Sequence, residues 1–220
     1  MTAFDRATMR RITRDWDMQL PGFDVWKPMH LLRRVGPVLQ GVALERSRSG
    51  DYYFATSHVH ALTREFPVIS LSLGHRVLRS SGQPEQIDAS EAHLSDVAAR
   101  LIEQTDHSIR ETPPAIDDLI VAYQRAAVTR HRLGQPPAVM EMEDSILVAA
   151  LSERHELLAM GLQLAEQLAA LWARPRLPLD WTTPSDWLDG LRTKAADPSA
   201  LAGTVTRQIA EHKLEKIRSY

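Results

Sequence analysis

Residues 38–78 carry the alternation of apolar and polar side chains that most constrains this fold. Two alternating runs, 38–46 and 52–62, flank the turn composition Ser47-Arg48-Ser49-Gly50-Asp51 and predict a β-hairpin. Phe66-Pro67 opens a third run in which Ile69, Leu71 and Leu73 face one way and Ser70 and Ser72 the other. That is the pattern of an antiparallel strand with one buried face. Residues 29–35 are a candidate fourth strand. A sheet of three to four strands must be covered by helices on its apolar side.

Helical patterns lie on both sides of this stretch. Thr2 with Asp5 resembles a capping box, and Met9, Ile12, Trp16 and Leu20 follow at helical spacing up to Pro21-Gly22. Arg6, Arg10, Arg11 and Arg14 take the rest of that helix, as a solvated surface or a phosphate-binding face. A linker with Phe23, Val25 and Trp26 leads to the sheet. Downstream, Asp88-Ala89-Ser90-Glu91 reads as a capping box for a helix carrying Leu94, Val97, Leu101 and Ile102.

Pro113-Pro114 is the strongest break, and the pattern beyond it is helical throughout. Helices are predicted over 117–133, 138–151 and 153–173, with Ser152 as a cap, and their short connections imply antiparallel packing. Thr183-Pro184-Ser185-Asp186 and Asp197-Pro198 open two more. The last carries Leu201, Val205, Ile209 and Leu214. No period of about 33 to 47 residues recurs, which leaves a repeat protein as a minor alternative. The fold expected is α+β: a small antiparallel sheet packed against helices, followed by an antiparallel helical bundle. Residues 1–112 form the sheet-bearing part and 115–220 the helical part, as two domains or one continuous one.

Composition narrows the function classes. A net charge of −2 argues against nonspecific nucleic-acid binding, which rests on excess positive charge. With no cysteine there are no disulfides, thiol nucleophiles or thiolate metal sites, which fits a reducing compartment. The first residues lack the apolar core of a signal peptide, and the longest apolar run, 146–151, is too short to span a bilayer. A cytoplasmic protein without a membrane partner is expected.

His58 and His60, two apart on a predicted strand, leave the same face together with Tyr52 and Phe54. That face is either a contact surface or, with His75 or His30 as a further ligand, a divalent-metal site. A metal there is the one cofactor left open. Gly-x-Ser-x-Gly, the Walker loop, Gly-x-Gly-x-x-Gly and His-Glu-x-x-His are absent, and Ser57 beside His58 is no triad. Glu141, Glu143 and Asp144 lie within one helical turn, as paired carboxylates or, with Asp117 and Asp118, as a negative surface for a basic partner. Arg46 and Arg48 at the hairpin tip are candidate phosphate contacts, and Trp181 and Trp187 pin the penultimate helix or anchor an interface.

The succession of a helix, Gly22-Phe23, an edge strand Leu39-Gln40-Gly41-Val42 and a hairpin ending in Ser57-His58-Val59-His60 resembles small bacterial immunity-type α+β proteins. The resemblance is one of layout over roughly residues 1–110, and it carries over no functional residue. It implies a protein encoded beside a toxin that neutralises it by binding. The function expected is therefore a cytoplasmic binding protein that occludes a protein partner. The alternatives are a metal-dependent hydrolase centred on His58 and His60, and a helical scaffold subunit.

Overall fold

The computed structural model describes residues 4–90, 93–172 and 183–220. They divide into two compact units. One holds the described residues up to His60, those of Val68–Pro114, and Lys213–Tyr220; the other holds Ala61–Pro67 and those of Ala115–His212.

The first unit is built on a six-stranded antiparallel sheet: β1 (Asp24–Lys27), β2 (His30–Val35), β3 (Val38–Arg46), β4 (Tyr52–Ala61) and β5 (Ser72–Arg76) in that order, with β6 (Ile87–Asp88) also on β4. Helix α1 (Arg6–Gln19) starts where the Asp5 carboxylate accepts the Thr8 amide at 2.7 Å. The expected capping box had Thr2 as N-cap and Asp5 inside the first turn; Asp5 is itself the N-cap, and Thr2 lies outside the described residues. The apolar stripe of α1 buries Ile12, Trp16 and Leu20 against Leu31, Val42 and Tyr53 of the sheet and Val97 and Leu101 of α2 (Leu94–Gln104). Trp16 Nε1 donates to Tyr53 Oη at 2.9 Å, and the Met29 amide donates to Thr13 Oγ1 at 2.8 Å, so the helix is also fixed by polar contacts.

Three expectations for this unit are revised. The sheet has six strands rather than three to four, because 24–27 joins 30–35 as a paired strand and 87–88 pairs with β4. The third alternating run is not a strand over its length. Val68 is 58% exposed and Leu71 36% exposed, β5 begins only at Ser72, and even within it Leu73 has a φ of +52°. The Ser70 amide donates to His60 Nδ1 at 3.1 Å, a side-chain contact in place of a ladder bond. Asp88 lies on β6 and caps nothing: its carboxylate accepts from the Ser90 amide and hydroxyl, and α2 starts at Leu94. Glu91 lies outside the described residues. The last residues belong to this unit, with the Arg34 amide donating to the Arg218 carbonyl at 2.8 Å.

The second unit is helical: α3 (Ile116–Arg132), α4 (Val139–Leu151), α5 (His155–Leu171), α6 (Pro184–Ala195) and α7 (Pro198–Glu211). Helix α4 is its axis, buried on all sides from Asp144 to Ala150. Its core joins Met142, Ile146 and Leu147 to Ala165 and Leu168 of α5, Leu188 and Leu191 of α6, and Leu201 of α7. Helices α4 and α5 approach closely at Gly161, where a β-carbon would lie 3.0 Å from Ile146 Cγ1. The expected caps of α6 and α7 form: Thr183 Oγ1 accepts the Asp186 amide and the Asp197 carboxylate accepts the Ala200 amide. Two boundaries differ. Helix α5 starts at His155 without a side-chain cap, and α7 stops at Glu211, leaving Leu214 beyond it.

Candidate functional site

The β2–β3 register pairs His30 with Ala43 and Leu32 with Gly41, placing His30 and position 41 on one sheet face. His58 arrives on that face from β4 and lies over Gly41, where a β-carbon would be 2.3 Å from its Nε2. His30 Nε2 and His58 Nε2 are 2.7 Å apart. The ring centroids are 4.9 Å apart, so the rings meet nearly end to end as an N–H···N hydrogen bond. Ligands of one metal ion would instead aim both lone pairs at a third point. Burial, aided by Lys27, pushes the His30 imidazole down to about 4. Burial, then the nearby His30, His107 and His60, drives His58 well below its ordinary value. Both rings are thus held neutral, the condition for one to donate and the other to accept.

The other expected ligands go elsewhere. His60 Nδ1 contacts Ser70 Oγ at 2.8 Å and accepts the Ser70 amide. His75 pairs with Ser57 across β4–β5 and shares the face opposite His58, its Nε2 lying 3.4 Å from Gln104 Oε1 of α2. Ser57 Oγ contacts Thr105 Oγ1 at 2.8 Å, a structural contact. Among the described residues no three histidines or carboxylates gather as metal ligands. Tyr52 and Phe54 stack edge to face at 5.4 Å, and the Arg76 guanidinium lies 4.4 Å from the centre of the Phe54 ring. Arg76 in turn pairs with Glu45 at 2.8 Å.

In the helical unit the candidate acids turn inward. Arg64 Nε donates to Asp144 Oδ1 at 2.7 Å, and its second nitrogen pairs with Glu143 Oε2 at 3.1 Å. Glu143 Oε1 also accepts from Trp187 Nε1 at 2.8 Å, and Glu141 accepts from Arg130 at 2.6 Å. Burial outweighs the pull of Arg64 and holds the Asp144 carboxyl up at about 6. The Tyr123 hydroxyl is buried without a hydrogen-bond partner among the described residues, and burial pushes it well up. Asp117 pairs with Arg154, and Asp118 accepts the Ala115 amide. Glu141, Glu143 and Asp144 are therefore engaged within the unit, while Asp117 and Asp118 stay exposed. Beside Arg64 and Glu143 a cleft of about 610 Å³ opens toward Lys194, Asp197 and Thr204. Trp181 lies outside the described residues.

The arginines of α1 are divided by geometry. Arg11 pairs with Asp15 and donates to the Ala89 carbonyl at 2.7 Å. Arg6, Arg10 and Arg14 are exposed and have no carboxylate partner among the described residues. Arg10 and Arg14 line a groove of about 330 Å³ with Asp17, Val25, Trp26 and Lys27, and the Lys27 ammonium sits 3.7 Å from the centre of the Trp26 ring. The contribution of β1 to this groove was hidden in the sequence, where 23–26 reads as a linker. Arg33 was also missed. It is fully buried, with Nε on Gln40 Oε1 at 2.9 Å and its outer nitrogens on the carbonyls of Ser108, Arg110 and Glu111. No helix among the described residues is long and apolar enough to cross a membrane. No protein-family model, curated protein or solved structure matches the chain.

Proposed function

We propose that the protein is a cytoplasmic binding protein of the bacterial toxin-immunity or inhibitor type, which seats against a protein partner and covers the partner's working surface. The observation that supports this reading is the exposed stripe of Arg6, Arg10 and Arg14 beside the groove holding the half-exposed Val25. Cations without internal partners next to exposed apolar surface are the composition of a recognition face. The histidines and carboxylates with chemical potential are consumed in internal pairs. The test is calorimetry of the purified chain against each protein encoded beside it. A stoichiometric complex that abolishes the partner's activity is the expected result. Turnover of a small substrate with no complex formed would overturn the reading.

A second reading is small-molecule chemistry at the cleft beside Arg64. It is favoured by one observation, the buried Asp144 carboxyl held at about 6 behind that cleft. An activity lost in Asp144→Asn, with partner binding intact, would select it over the first.

A further inference from the structure

We infer that the groove between α1 and β1 is the docking site for a short acidic segment of a protein partner, one apolar side chain of which seats against Val25 and Trp26. This rests on the binding reading and supplies the chemistry of the partner. Arg6, Arg10 and Arg14 stand at successive i, i+4 positions, so like charges line one face of α1. Lys27 adds a fourth cation across the groove, and Asp17 is the one acidic residue among its lining. None of the four forms an ion pair among the described residues, so an anion brought there gains interaction at little reorganisation. The planar guanidinium fork suits carboxylates in particular.

The groove has an apolar component that a simple anion would not use. Val25 is 46% exposed, and Trp26 and Pro28 complete that wall. Arg6 to Arg14 spans about 12 Å at about 1.5 Å per helical residue. That length matches about four residues of extended chain. The occupant is thus a segment with two or three carboxylates and one apolar residue. Nucleic acid fits less well, because the stripe is short, Asp17 interrupts it, and the whole chain carries a net charge of −2.

The experiment is a fluorescence-anisotropy titration of the full chain with two labelled probes, the C-terminally amidated peptide Asp-Leu-Glu-Asp and a single-stranded oligothymidine of equal charge. The peptide is expected to bind, to weaken about tenfold in Arg10→Glu/Arg14→Glu, and to weaken as salt shortens the Debye length below about 10 Å. Thermal melts of the variant should match the parent, since both arginines are exposed. Peptide affinity unchanged by the charge reversal, or oligothymidine binding as tight as the peptide, would overturn the inference. The binding reading is judged separately. If the reversed variant still forms the stoichiometric complex with the natural partner, that reading stands and this groove is not the site. If the parent binds the peptide through Arg10 and Arg14 yet complexes no neighbour-encoded protein, the groove stands and the immunity reading falls.

Discussion

The His58 ring occupies the space that a side chain at position 41 would need. A β-carbon on Gly41 would lie 2.3 Å from His58 Nε2 and 2.6 Å from Leu32 Cδ2, both fully buried. Gly41→Ala must therefore displace the imidazole from His30, and the expected loss is about 1–3 kcal/mol. In a chain of this size that is a fall in Tm of about 2–4 °C per kcal/mol. The double variant Gly41→Ala/His58→Ala should lose less than the sum of the two single changes. Additive losses would show that the two residues do not compete for one space.

The neutral histidines set an acid limit on stability. His30 and His107 are held down at about 4, and both take up protons near the ordinary value of about 6.5 once unfolded. As pH falls through that window the unfolded chain binds protons first, so stability present above about 6.5 drains away toward 4. Asp144 acts in the opposite sense. Raised to about 6, it contributes stability at low pH that is lost as pH rises through that value. Urea unfolding from pH 7 to pH 5 should give a falling stability that flattens in His30→Asn/His58→Asn. The slope should steepen in Asp144→Asn, because the counteracting carboxyl is gone.

Among the described residues Arg64 is the one cation paired with the two inward carboxylates, Asp144 and Glu143. Removing it in Arg64→Met leaves both without that partner, and the expected cost is about 3 kcal/mol. Because Asp144 takes up a proton near 6, the loss should shrink as the pH drops below that value. Replacing the pair together, Arg64→Met/Asp144→Leu, should recover much of the loss by denaturant titration. A double variant as unstable as Arg64→Met alone would contradict the pairing.

Arg33 clamps the segment after α2 through three backbone carbonyls and Gln40, with no carboxylate paired to it among the described residues. Burial lowers its guanidinium to about 10, still charged at neutral pH. Arg33→Lys keeps the charge but loses the fork, so a cost of about 2 kcal/mol is expected. Amide hydrogen exchange should rise selectively over residues 105–114. Unchanged protection there would mean that the segment is held by other contacts.

Local chemistry in the chain was enough for much of the architecture. The α+β class, the 38–61 hairpin, and the Thr183-Pro184 and Asp197-Pro198 helix starts are all legible, because each depends on residues within a few positions. The alternation at 68–73 was misleading, since alternation reports which way side chains point only if a neighbouring strand accepts the ladder, and His60 takes the Ser70 amide instead. Tertiary structure alone decided the site. His30 meets His58 across 28 residues, Arg33 reaches the Arg110 carbonyl across 77, and Arg64 finds Asp144 across 80. Strand register and helix packing set those meetings, and periodicity carries no information about which distant residue comes opposite. The same packing turned Glu141, Glu143 and Asp144 inward, for a buried carboxylate persists only where a cation meets it, and left Arg6, Arg10 and Arg14 facing out.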